Sequence, residues 1–265
     1  MKKIVLVTGA TSAVGKSICE HLIDDGCIVY AGTRNLKKIS TNKKLHSIKL
    51  DITSDNDVKK AITTIIKSHK RIDVLINVAG DTLAGPTEEF APEDYLNLLN
   101  TNAVGAFRLM REVVPFMKKQ KGGSIISITS MSGLVSFPNF GIYSSSKFAL
   151  EALSESLYYE LKKENIHVTT IAPGAIFNPN VDSSTMPHRL AMPHKPAREK
   201  FFILKLLLPM VTIERITHTI LETIDSKNPP SRIVVGRDAK LVYTMNRILP
   251  QRVWTMLMNY VWQKN

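Results

Sequence analysis

Three side chains within one stretch could carry out acid–base chemistry. Ser130 follows the apolar run Ile125, Ile126 and Ile128, and Tyr143 and Lys147 stand four residues apart. A strand over Ser124 to Thr129 would put Ser130 at its carboxyl end. A helix from Tyr143 to Leu161 would put the phenol and the ammonium on one face, one turn apart. An ammonium beside a phenol favours the phenolate and lowers its pKa from about 10. Tyr143 could then give and take a proton near neutral pH, while the Ser130 hydroxyl orients a substrate oxygen. Tyr-x3-Lys is also found as an ordinary solvated helix pair, so its weight depends on what positions it.

The chain supplies such a frame. Short apolar runs read as strands at Ile4 to Val7, Cys27 to Ala31, Leu45 to Leu50, Asp73 to Asn77, Ser124 to Thr129, His167 to Ile171 and Arg232 to Val235. Helical patterns alternate with them: one after Gly15, one over 55–68, two across 92–119, one over 143–164 and one near 212–226. Strands alternating with helices of this length predict βαβ units. The fold class is therefore α/β, a doubly wound parallel sheet of about seven strands with helices on both faces.

Between the first strand and the first helix lies Thr8-Gly9-Ala10-Thr11-Ser12-Ala13-Val14-Gly15. Gly9 permits a sharp turn, Gly15 permits close packing of helix on strand, and the free N–H groups and helix dipole can meet a phosphate. The end of the second strand is where a dinucleotide's adenosine ribose is met. A carboxylate there would bind the 2′-hydroxyl. Here the chain reads Tyr30-Ala31-Gly32-Thr33-Arg34, and an arginine fork suits a 2′-phosphate. NADP(H) is expected over NAD(H).

These pieces together resemble the short-chain dehydrogenase/reductase family over roughly residues 3 to 236. The resemblance rests on Thr8-Gly9-x3-Ala13-x-Gly15, Asp51, Asn77-Val78-Ala79-Gly80, Asn102, Ser130, Tyr143-x3-Lys147 and Pro173-Gly174. It implies a catalytic set of Asn102, Ser130, Tyr143 and Lys147. It further implies cofactor contacts from Gly9, Thr11, Ser12, Val14, Gly15, Arg34, Asp51, Ile52, Asn77, Ala79, Gly80, Pro173, Gly174, Ile176 and Asn178. Tyr143 and Lys147 would also touch the cofactor. Asp51 would accept from the adenine amino group, and Asn77 would brace the sheet. Asn102 would hold a water that passes protons towards Lys147, which would also bind the nicotinamide ribose. Three positions depart from the family pattern: Ala13 replaces a glycine, Val78 an asparagine, and Asn178 a threonine.

Substrate choice is expected to lie in 178–211, whose Met186, Leu190, Met192, Phe201 and Leu204 are bulky and apolar. Phe137, Phe140 and Ile142 would form the facing wall. A lipophilic ketone, aldehyde or alcohol, steroid- or lipid-like, fits best, although these residues could also bury in the core or between subunits. Residues 1–236 read as the dinucleotide-binding domain and 237–265 as a helical extension of it. In that extension Leu241, Met245, Ile248, Val253, Met256 and Tyr260 recur at helical spacing, with Pro250 between two helices. It could cover the substrate mouth, meet a second subunit, or lie on an anionic membrane surface.

Composition narrows the function classes. The chain has 265 residues, is 44% hydrophobic and carries a net charge of +12. The lysines are dispersed rather than set in a stripe with aromatics, so nucleic-acid binding is not expected. No run reaches the about 18 apolar residues of a membrane span. The apolar start ends at Thr8-Gly9, too early for a signal peptide. Cys19 and Cys27 lack metal-ligand spacing, so no metal site is expected, and both thiols should pack inside. A cytoplasmic enzyme, possible membrane association and a homodimer or homotetramer are the corresponding expectations. The competing reading is a protein that keeps the fold and binds NADP(H) for regulation or scaffolding with little turnover.

Overall fold

Strand β1 (Ile4–Val7) shows how the sheet is covered. Ile4 and Leu6 enter one buried apolar cluster, and Val5 and Val7 enter another. Successive side chains of a strand point to opposite faces. A strand apolar on both faces therefore needs helices on both sides. The computed structural model describes residues 2–177 and 210–263.

After β1 come α1 (Ala13–Asp24), β2 (Ile28–Thr33), β3 (Leu45–Lys49), α2 (Asp55–His69) and β4 (Val74–Asn77). Helices α3 (Pro92–Leu99) and α4 (Gly105–Lys119) lead to β5 (Gly123–Ile128), α5 (Gly141–Leu161) and β6 (Ile166–Pro173). A short parallel pair, β7 (Ile176–Phe177) and β8 (Val211–Thr212), flanks the undescribed residues. Then follow α6 (Ile213–Asp225), β9 (Arg232–Val235), α7 (Arg237–Ile248) and α8 (Gln251–Gln263). The main sheet has seven parallel strands in the order β3-β2-β1-β4-β5-β6-β9.

One face is covered by α2, α4 and α5 through Ile62, Ile65, Leu109, Met110, Val113 and Leu150. The other is covered by α1 and α6 through Ile18, Leu22, Ile216 and Ile220, and Cys19 and Cys27 are buried among them. Local caps start these helices in register. Ser12 accepts from Gly15 N, Ser54 from Asp57 N and Thr212 from Arg215 N. Each satisfies one backbone donor that a helix start leaves open.

The strand order reverses between β1 and its neighbours β2 and β4. Such a switch point leaves a crevice beyond the carboxyl ends of the strands, and the candidate residues border it. Several boundaries differ from the sequence expectation. β2 runs on to Thr33 because Gly32 leaves room for Leu50, whose Cδ2 would lie 2.7 Å from a Cβ there. β6 continues to Pro173, which pairs in register with Val235. The two helices expected across 92–119 are joined by a π turn at Asn100–Val104, not by a loop. Such turns favour functional sites, and Asn102 lies within this one. Most of 178–211 lies outside the described residues. In the tail the two expected helices are present, broken at Pro250, which has no N–H to continue a helix.

Candidate active site

Two cavities meet at the switch point. The first, about 430 Å³, runs along the ends of β1, β2 and β4. The second, about 420 Å³, lies over the ends of β4, β5 and β6. Ser12, Val78, Gly80 and Asp81 line both, so the cavities are continuous walls of one groove.

The turn after β1 is built for close approach. Gly9 has φ +60°, and a Cβ there would come 2.8 Å from Ala79 Cα. A Cβ on Gly15 would come 2.8 Å from Ala10 Cα. Thr8 Oγ1 accepts from the backbone N–H groups of Val78 and Ala79, tying this turn to the end of β4. Asn77 Nδ2 donates to Ser127 Oγ and braces β4 against β5. Ala13 lines neither cavity, so its methyl group does not narrow them.

Gly9, Thr11, Ser12, Arg34, Asp51, Ile52, Ala79 and Gly80 all line the first cavity. Asp51 Oδ1 accepts from the backbone and hydroxyl of Thr53, which, helped by Arg34, hold its carboxyl below the usual range. The cap of α2 is Ser54, so Asp51 is left to face the cavity. Lys38 joins Arg34 at the far end, a residue that the sequence reading passed over. Asn35 caps the short turn Leu36–Lys38 and so brings it there. Gly15 and Asn77 stand behind the wall, and Asn178 lies outside the described residues.

Ser12, Val14, Ser130, Tyr143, Lys147, Pro173, Gly174 and Ile176 line the second cavity. Phe137 and Phe140 form part of its wall, as expected. Ile142 does not: it is buried on the inner face of α5. Ser130 caps a short turn at Met131–Gly133 by accepting from Ser132 N.

The expected electrostatics of Tyr143 need correction. Burial raises the phenol's pKa, and this is the largest effect. The hydroxyls of Ser130 and then Thr82 oppose it through hydrogen bonds to the phenol. Lys147 Nζ lies 6.0 Å from the centre of the Tyr143 ring and donates instead to Ile128 O. The amine therefore sits over the ring, not at the phenolic oxygen. Lys147 is itself pushed down to about 8 by burial, partly offset by the carboxylate of Glu151.

Thr82 was not foreseen from the sequence. It is placed by Asn102, whose Oδ1 accepts from Asp81 N and whose Nδ2 donates to Asp81 O and Ser146 Oγ. That latch spans 21 residues and leaves no periodic signal in the sequence. Gly80 keeps the centre open: a Cβ there would lie 3.2 Å from both Asn102 Oδ1 and Lys147 Nζ.

The chain matches the family model described as short chain dehydrogenase over residues 3–187. It belongs to that family. This makes it an oxidoreductase of the alcohol/carbonyl class. It is 32% identical to 3-ketodihydrosphingosine reductase of Bacteroides thetaiotaomicron, over 92% of each chain. It is 28% identical to 3-amino-tetrahydro-pyrrolizinone reductase of Xenorhabdus hominickii, over 94% of this chain and 92% of the relative. A short-chain dehydrogenase from Streptomyces avermitilis superposes with a TM-score of 0.81 at 26% identity, covering 98% of this chain and 96% of that one.

In this short-chain dehydrogenase the tail reaches the groove from below. Asp238, in the first turn of α7, accepts from Ala175 N through Oδ2. Its carboxylate fills the space that a side chain on Gly174 would need. Asp238→Ala leaves Ala175 N without this acceptor, and a loss of about 1–3 kcal/mol in unfolding free energy is expected. Chemical denaturation checks it; unchanged stability would mean that another contact holds the loop after β6.

Proposed function

We propose that the protein uses NADP(H) to reduce a lipophilic ketone or aldehyde, or to oxidise the matching alcohol. The observation that carries this is the convergence of Ser130, Thr82, Tyr143 and Lys147 on the second cavity, directly beside a groove suited to a dinucleotide. The groove has the attributes such a cofactor requires. Gly9 and Gly15 allow close backbone approach, the α1 N-terminus offers N–H donors, and Arg34 with Lys38 supplies positive charge at the adenosine end.

When bound, the nicotinamide would supply or take the hydride. Ser130 holds the substrate oxygen. Tyr143 delivers the proton to it, its phenol kept neutral at physiological pH by burial and positioned by Ser130 and Thr82. Lys147 restores that proton. Asn102, across Gly80 from the amine, would hold the water through which solvent protons arrive. The lipophilic preference is supported by Phe137, Phe140, Ile176 and Met210 around the second cavity. The Bacteroides relative, a reductase named for a sphingoid ketone, points the same way.

The tail adds a membrane reading. Ile248 and Met256 are 71% and 70% exposed, and Arg247 and Arg252 are exposed beside them. Apolar and basic groups together suit an anionic lipid surface. Among the described residues no helix is long and apolar enough to cross a membrane, so contact would be peripheral.

Three outcomes check these readings. Tyr143→Phe should cut kcat by about 10²–10⁴-fold; more than a tenth of activity remaining would remove Tyr143 from the proton path. Arg34→Ala should weaken NADPH binding by about tenfold or more, as expected for losing a charged hydrogen bond, and leave NADH nearly unchanged. Equal weakening of both would overturn the NADP preference. The full chain should float with phosphatidylglycerol liposomes, and a chain ending at Pro250, which retains Asp238, should float less; equal flotation would exclude α8 as the contact.

A further inference from the structure

Glu151 is a buried carboxylate that the chemistry above does not use. It is 3% exposed and lies one turn beyond Lys147 on α5. Three separate elements bind it. Thr129 Oγ1, at the end of β5, donates to Oε1. Thr170 Oγ1, from β6, donates to Oε2 at 2.9 Å. Arg232 Nε, from β9, donates to Oε2 at 2.7 Å.

Burying a carboxylate is costly without such partners. Structural bracing alone would explain the two threonines and the arginine. It would not explain why the acid stands on the same helix, one turn from the buried Lys147. The other charged and titratable groups nearby are few. Tyr143 lies one turn before Lys147, and Glu155 lies one turn after Glu151 and meets Arg232 Nη2 at 3.4 Å. From α7, Tyr243 accepts from Arg232 and from Arg247. From the π turn, Asn102 brings no charge, and β5 offers Lys147 only the Ile128 carbonyl. Among the described residues, Glu151 is thus a buried carboxylate that meets Arg232 and stands one turn from Lys147.

We infer that Glu151 is a positioning residue for proton delivery: its carboxylate favours the Lys147 ammonium, and Arg232, sharing the same carboxylate, opposes that ammonium by its own positive charge. This rests on the proposed role of Lys147 in refilling the Tyr143 proton. The sharing also links the tail to the site, because Tyr243 helps to orient Arg232. The sign follows from Coulomb attraction. Losing the Glu151 charge makes the ammonium less favoured, so Lys147 gives up its proton at lower pH. Losing the Arg232 charge removes a second cation that opposes the ammonium across that carboxylate, so Lys147 holds its proton to higher pH. Thr129 and Thr170 remain as donors to the carboxylate in that variant.

The test compares wild type, Glu151→Gln and Arg232→Gln. The Lys147 amine is titrated by NMR of lysine-labelled protein, with its signal assigned by Lys147→Arg. Midpoints should shift by about one unit in opposite directions, down in Glu151→Gln and up in Arg232→Gln. A bracing role would weaken both variants without moving the midpoints apart, and shifts in one direction or none would overturn the inference. Should Glu151→Gln fail to fold, an unmoved midpoint in Arg232→Gln would suffice to overturn it. The high-pH limb of ketone reduction with NADPH should move with the midpoint in each variant. Midpoints that separate while this limb stays fixed would uphold the electrostatic hold of Glu151 on Lys147 but sink the role of Lys147 in turnover, and with it the delivery role of Glu151.

Discussion

All seven strands of the main sheet point the same way, so every strand-to-helix connection leaves from one edge. That constraint places the turn after β1, the end of β4, Ser130 after β5 and Pro173 at the end of β6 along one groove. No single contact could gather residues from positions 9, 80, 130 and 173. Parallel register does so because each strand is laid against its neighbour with its carboxyl end at the same height. The helices that the connections require cover both faces and supply the burial that keeps the sheet together.

Burial also sets the chemistry. The groove removes Tyr143 and Lys147 from much of the solvent, and desolvation moves both towards their neutral forms, the phenol up and the amine down to about 8. Hydrogen bonds from Ser130 and Thr82 and the nearby Glu151 carboxylate pull in the other direction. Two groups that would titrate close together in water are thereby pushed apart, the phenol becoming the harder to deprotonate and the amine the easier, which suits a proton passing from the amine to the phenolate. The direct phenol–ammonium attraction suggested by helical spacing is secondary, because Nζ turns to the Ile128 carbonyl.

The tail is part of this arrangement. Asp238 fills the space left by Gly174 and holds Ala175, and Tyr243 meets Arg232 behind Glu151. Gly174 is therefore glycine for the benefit of α7 as much as for anything bound above it. Leu241, Ile248, Val253, Met256 and Leu257 of α7 and α8 are exposed.

The sequence alone determined the alternation of strands and helices, the glycine turn after β1, the absence of an acid after β2 and the Ser130–Tyr143–Lys147 set. These are local features: period-two and period-3.6 patterning, turn chemistry and short fixed spacings, each written within a few consecutive residues. The tertiary structure alone decided that Thr82 joins Tyr143, that Lys38 joins Arg34, that Ile142 faces inward, and that Glu151 meets Thr129, Thr170 and Arg232. Each depends on side chains from elements far apart in the chain, and on how deeply packing withdraws them from water. Neither register across a sheet nor desolvation leaves a periodic trace in the order of residues.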